Sequence, residues 1–172
     1  MPKKIIQAES SKREYHKFWA VLIFMFLAAT LMSTLISFRW LDWLRWYVAC
    51  TLLIFGGFKM ISYESFLDVF PRYNALARRY SWYGLAYPVA EVLLAVFFVL
   101  DVAPGIRQVI VLLAAGIGLA SMANNLMHKG PSAKNTWLGG LFRLPMTTAL
   151  LFEDGILFVL VLVIIVGNLF VK

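Results

Sequence analysis

The sequence predicts an all-α fold, a polytopic membrane helix bundle of about five transmembrane helices, N-terminus in and C-terminus out. Three observations carry the prediction. Of 172 residues, 62% are hydrophobic and 15% are charged, with a mean hydropathy of +0.79. A soluble domain is about half apolar, with roughly a quarter of its residues charged. The apolar residues are gathered into runs near the roughly 20-residue length that crosses a bilayer as a helix, without the alternation of a lipid-facing β-barrel. Finally, Lys and Arg are unevenly divided between the segments that join the runs.

The first span, FWAVLIFMFLAATLMSTLIS (18–37), is uncharged. It has full spanning length and lacks a small-residue cleavage site, so it is expected to stay as an anchor behind a basic cytoplasmic tail, 1–17. The second, about 44–63, passes through WYVACTLLIFGGFKMIS and carries Lys59. Before it, RWLDWLRW (39–46) mixes Trp with Arg and is expected to lie in the interface as an aromatic belt. In the loop 64–81, Phe66, Val69, Phe70 and Tyr73 recur at helical spacing, with Glu64, Asp68, Arg72 and Arg78 largely elsewhere. That pattern predicts a short interfacial helix with its apolar face in the headgroup region, interrupted at Pro71.

The third span, WYGLAYPVAEVLLAVFFVL (82–100), carries Glu91. Its Pro88 leaves the Gly84 carbonyl without its usual donor, which predicts a kink. The fourth, RQVIVLLAAGIGLASMANNLM (107–127), is polar only at its end. The fifth, about 146–171, contains Glu153 and Asp154, and Pro145 just before it suits a first helical turn. Residues 18–171 are thus one transmembrane bundle, with no separate soluble domain.

Orientation follows from the cations. With the N-terminus inside, Lys3, Lys4, Lys12, Arg13, Lys17, Arg72, Arg78, Arg79, Lys129, Lys134 and Arg143 are cytoplasmic. Arg39, Arg45, Arg107 and Lys172 are then outside, and Lys59 lies within a span. The bias fits the positive-inside rule. It also explains the net charge of +7, so the lipid bilayer is the expected partner and nucleic acid is not. Homo-oligomer formation is left open.

No enzyme is visible by motif. Cys50 is the sole cysteine and cannot form an internal disulfide or a CxxC pair. A lone thiol in apolar surroundings is read as an inert core residue. His16 and His128 are far apart in sequence, and no glycine pattern resembles a phosphate loop. No catalytic residue, metal site or cofactor is therefore expected.

What remains is a set of intramembrane polar groups: Lys59, Glu91, Glu153 and Asp154. Helical rise puts Lys59, Glu91 and Glu153 within roughly 5–15 Å of the cytoplasmic surface, near one level. Asp154 lies about 100° further round its helix, so the two adjacent acids need not share a partner. Tyr83, Tyr87 and Glu91 share a face at i, i+4, i+8, and the two phenols are expected to line the approach to the carboxylate. Asn124 and His128 share a face on the fourth span and are expected to support the cluster. Two readings stay open. The charges either pair to fix helix register, or the carboxylates bind a cation or relay protons.

Two stretches carry a resemblance. The first is LLIFGGFKMISYESFLDVFPRYNALARRYSWYGLAYPVAEVLLAVFFVL, with Phe58, Lys59, Phe66, Tyr73, Ala77, Arg78, Arg79, Tyr83, Tyr87, Pro88 and Glu91 in the pattern. The second is LGGLFRLPMTTALLFEDG, matching at Leu138, Gly139, Phe142, Leu144, Pro145, Met146, Thr147, Glu153 and Asp154. Together they resemble the MauE/DoxX group of small prokaryotic membrane proteins over roughly residues 40–165. The resemblance implies a multi-pass protein of a prokaryotic cell (inner) membrane, associated with redox partners or with maturation of disulfide-rich proteins. Relatives with the LPM ending carry a C-x-C before L-G and sometimes a heavy-metal-associated domain. Here those cysteine positions are Asn135 and Trp137, and the tail MPKKIIQAESSKREYHK is polar rather than metal-binding. The scaffold resembles the family's, while its thiol chemistry cannot run through this loop.

The expected function is a non-catalytic accessory protein to a redox or metal-handling membrane or periplasmic partner. The alternative is a small carrier or binding protein for a cation, proton or lipophilic molecule, using the Lys/Glu cluster. A thiol oxidoreductase working through Cys50 ranks last.

Overall fold

The computed structural model describes the backbone of residues 2–36, 38–129 and 146–170, and the side chains of 15–36, 38–124, 127 and 150–170. Seven helices form there: α1 (Pro2–Ile36), α2 (Trp40–Ile61), α3 (Tyr63–Tyr73), α4 (Ala75–Arg79), α5 (Ser81–Val99), α6 (Pro104–Lys129) and α7 (Met146–Phe170). Among the described residues there is no strand. Among the described residues, five segments are long and apolar enough to cross a membrane: Tyr15–Ile36, Trp40–Ile61, Ser81–Val99, Pro104–Asn124 and Leu150–Phe170. Their outward faces are apolar as well. On α1, Ile23, Phe24, Leu27, Leu31 and Leu35 are all more than half exposed, a surface suited to lipid and not to water. The chain is a multi-pass membrane protein.

The inward face of α1 repeats at near-heptad spacing through Phe18, Leu22, Met25, Ala29 and Ser33, all buried. Trp43 of α2 donates its indole N–H to the Thr30 hydroxyl at 2.9 Å, tying the two helices. α2 packs against α1, α5 and α7 and is the central helix of the bundle. Cys50 is half-buried on it, beside a core cluster that includes Phe55, Met122 and Leu150.

The second span departs from its expected bounds. It starts at Trp40 rather than near Leu44, so RWLDWLRW forms largely the first two turns of α2. Arg39 and Arg45 lie 3.5 and 3.9 Å from the Asp42 carboxylate, which offsets one of their two charges, and Arg45 also pairs with Asp101. Leu41 and Leu44 can then bury in the core beside Val161 and Ile164. That span ends at Ile61, and Tyr63 already belongs to α3.

On the apolar face of α3, Phe66, Phe70 and Tyr73 are buried against the bundle. Phe66 and Phe70 stack at 4.5 Å, and Phe70 lies 4.8 Å from the ring of Tyr87 on α5. Pro71 sits in the last turn of α3, close to where the helix stops. Asn74 then caps α4, its side-chain oxygen accepting from the N–H groups of Leu76 and Ala77. Likewise, α5 runs as one helix through Pro88, which is buried in the bundle.

At the opposite end, the turn between α5 and α6 places Asp101 at φ 55° and Ala103 at φ 45°, both left-handed. Pro104 opens α6 at the position where its missing N–H costs nothing. Arg107, 2% exposed, donates to the Phe97 carbonyl at 2.7 Å and to the Asp101 carboxylate at 2.5 Å. Arg45 of α2 meets the other Asp101 oxygen at 2.7 Å. The motif residues Leu138, Gly139, Phe142, Leu144 and Pro145, with Asn135 and Trp137, lie outside the described residues, as does the side chain of His128.

Candidate functional site

Lys59 lies near the end of α2, Glu91 in the middle of α5 and Glu153 in the second turn of α7. The bundle brings all three together. The Lys59 ammonium donates to both Glu91 oxygens, at 2.6 and 2.8 Å, and to Oε1 of Glu153. Lys59 and Glu153 are 0% exposed and Glu91 is 4% exposed. The ammonium also stands 4.9 Å from the ring centre of Tyr87 on α5 and 6.0 Å from that of Phe66 on α3, so aromatic rings from both helices border the ion cluster.

Asp154 takes a different position. It is 4% exposed, and its Oδ1 has no hydrogen-bond partner among the described residues; the same is true of Oε2 of Glu153. Its carboxylate rests on Gly118 of α6, where any Cβ would overlap it. Gly56 plays a similar part on α2: a Cβ there would come within 3.0 Å of the Glu91 Cβ. Both glycines were invisible to sequence reasoning as site residues. A glycine in an apolar span carries no sign of which acid it faces.

The charge count is uneven. Among the described residues of the cluster, one ammonium faces three carboxyl groups. A buried charge is costly unless it is paired, so neutrality requires further positive charge, supplied by protons or by something bound. A metal is poorly served. The space between Glu91 and Glu153 is filled by the Lys59 ammonium, and no metal-holding group of His, Cys, Asp or Glu occurs among the described residues.

A slot of about 250 Å³ leads to these acids. It runs along α5 from Trp82 to Leu94 and is bordered by α6 at Ile110, Val111, Ala114 and Ala115, with Glu91 and Asp154 among its lining residues. Trp82, Ala86, Ala90 and Ile110 are exposed, so the slot opens sideways, on the face that the spans present to lipid. Tyr83 and Tyr87, their rings 5.6 Å apart, line it beside the carboxylates.

Of the predicted supporting residues, Asn124 is exposed on α6 and does not join the cluster. The helix turn that was expected to aim it inward instead buries Ser121, whose hydroxyl accepts from the Ala75 N–H at 3.1 Å. The Asp101, Arg45 and Arg107 network was also missed, since these residues entered the sequence reading only as outside charges or not at all. The chain matches no family model, no curated protein and no solved structure.

Proposed function

We propose that this multi-pass membrane protein is a small, non-catalytic binding protein or carrier whose site is the buried Lys59, Glu91, Glu153 and Asp154 cluster. The ligand is a cation or a lipophilic molecule reached through the slot. One observation carries the reading. Asp154 is buried, lines the slot and has an oxygen without a partner among the described residues. An acid kept only for helix register is expected to be paired, as Glu91 is by Lys59. Lys59 and its two glutamates are then the frame that holds the helices at fixed spacing. Asp154 is the working group.

The test is thermal unfolding of the full chain in lipid nanodiscs, with inorganic cations and with lipophilic molecules of differing charge. A ligand class that stabilises the wild type and leaves Asp154→Asn unmoved is the expected result. Equal responses of the two proteins to every class would overturn the reading.

The resemblance to MauE/DoxX-like proteins carries a second reading, an accessory to a redox or metal-handling partner in a prokaryotic inner membrane, oriented N-in and C-out. It is supported by the convergence of motif positions distant in sequence: Lys59, Phe66, Tyr87, Glu91 and Glu153 meet in one buried group. An adjacent gene for a redox enzyme or metal pump is the expected observation, and a neighbourhood without either counts against it. In either reading Cys50→Ala leaves cellular activity unchanged.

A further inference from the structure

We propose that the slot between α5 and α6 binds a lipophilic organic cation, an amine or ammonium on an apolar chain, which enters sideways from the bilayer and sets its charged head against Asp154. This rests on the binding reading above and names the ligand class.

The walls select an apolar chain. Apart from the acids and phenols, the slot is lined by aliphatic side chains and Trp82, and its open side is framed by the small residues Ala86 and Ala90. The acids select charge. Lys59 already occupies both oxygens of Glu91 and one of Glu153; Glu153 keeps an unpartnered oxygen too but does not line the slot, so Asp154 is the slot-lining acid with an oxygen to give. A donor N–H at that point supplies both the missing hydrogen bond and a positive charge to a cluster that is short of it. Trp82, exposed in the slot lining, offers an aromatic surface, and aromatic faces attract ammonium groups.

Other occupants fit less well. An anionic amphiphile meets surplus carboxylate. A neutral one brings no charge of its own, so the acid surplus is left to protons. An inorganic cation needs several oxygen ligands, and no group of three or more His, Cys, Asp or Glu among the described residues could hold one. Volume sets the size. At about 250 Å³ the slot is smaller than the roughly 300–1,000 Å³ pockets that enclose a drug-sized ligand. It takes a compact head and the first methylenes, with the rest of the chain left among the lipids.

The experiment uses the full chain in nanodiscs of neutral lipid, titrated with dodecylammonium, dodecanol and dodecanoate, which share a tail and differ in head charge. The expected result is a saturable rise in Tm with dodecylammonium alone, lost in Asp154→Asn and in Ala90→Leu, which fills the slot without touching the ion cluster. If Ala90→Leu does not fold, Ala86→Leu at the mouth serves the same purpose. If dodecanol or dodecanoate stabilises as well as dodecylammonium, in the wild type and not in Asp154→Asn, the cation proposal is overturned and the binding reading stands. If neither the three amphiphiles nor inorganic cations separate the wild type from Asp154→Asn, both fall.

Discussion

At the scale of single residues, Lys59 decides whether the centre of the bundle can exist. Its ammonium is the only positive charge among the described residues that bonds to Glu91 and Glu153, and both acids sit where water does not reach. Removing one partner of a buried pair leaves the other uncompensated, which costs about 3–5 kcal/mol. Lys59→Met is therefore expected to lose about that much stability in reversible unfolding, and adding Glu91→Gln to recover part of it. A double variant no better than the single would mean that the pair is not the unit of stability. The meeting of these three residues was legible in the sequence, because helical rise placed them at one depth. The role of Asp154 was legible only by half. Its angle from Glu153 follows from 100° per residue, but its seat on Gly118 depends on how α6 packs against α7, and helix packing leaves no local mark in a span that is apolar nearly all round.

At the scale of elements, the α5–α6 turn is a polar clamp at the end of the bundle away from Lys59. Partial burial pushes the Asp101 carboxyl up, but the hydrogen bonds and charges of Arg107 and Arg45 outweigh it and hold its pKa below the ordinary value. The folded pKa is thus lower than the unfolded one of about 3.9. The stability that follows is fully present above that value and is lost as pH falls through the folded pKa. Asp101→Asn is expected to destabilise by about 1–2 kcal/mol at neutral pH, an effect limited by the exposure of Asp101, and the gap from wild type should close below about pH 4. A gap unchanged by acid would place the effect in the left-handed turn itself. Helix existence was legible from run length alone, whereas helix ends were not. The start of α2 was missed because Asp42 between two arginines reads as interface, yet Asp42 offsets one of the two charges and Asp101 pairs with Arg45. In α3 the apolar stripe was legible, but not what covers it. Periodicity shows that Phe66 and Phe70 share a face; only packing shows that Tyr87 is on the other side.

At the scale of the whole molecule, five spans build a bundle whose two ends differ in kind. One end is a surface network around Asp101, and the other is a buried cluster bordered by aromatic rings of α3 and α5 with a sideways slot leading into it. The proposed N-in arrangement puts the clustered end toward the cytoplasm. It predicts that His16→Cys, on a Cys50→Ala background, reacts with a membrane-impermeant thiol reagent only after cells are opened; labelling of intact cells would reverse the orientation. His16 is exposed, so the site is open to reagent. The central claim is that the acid surplus is held in reserve for a ligand and is not part of the frame. Groups kept for binding commonly lower the stability of the empty protein. The most direct measurement is the unfolding of ligand-free Asp154→Asn beside the wild type in the same nanodiscs. The variant is predicted to be more stable by about 1–3 kcal/mol, because a buried carboxyl without a counter-charge has been removed. A variant less stable than the wild type by a similar amount would contradict the claim and make Asp154 part of the frame.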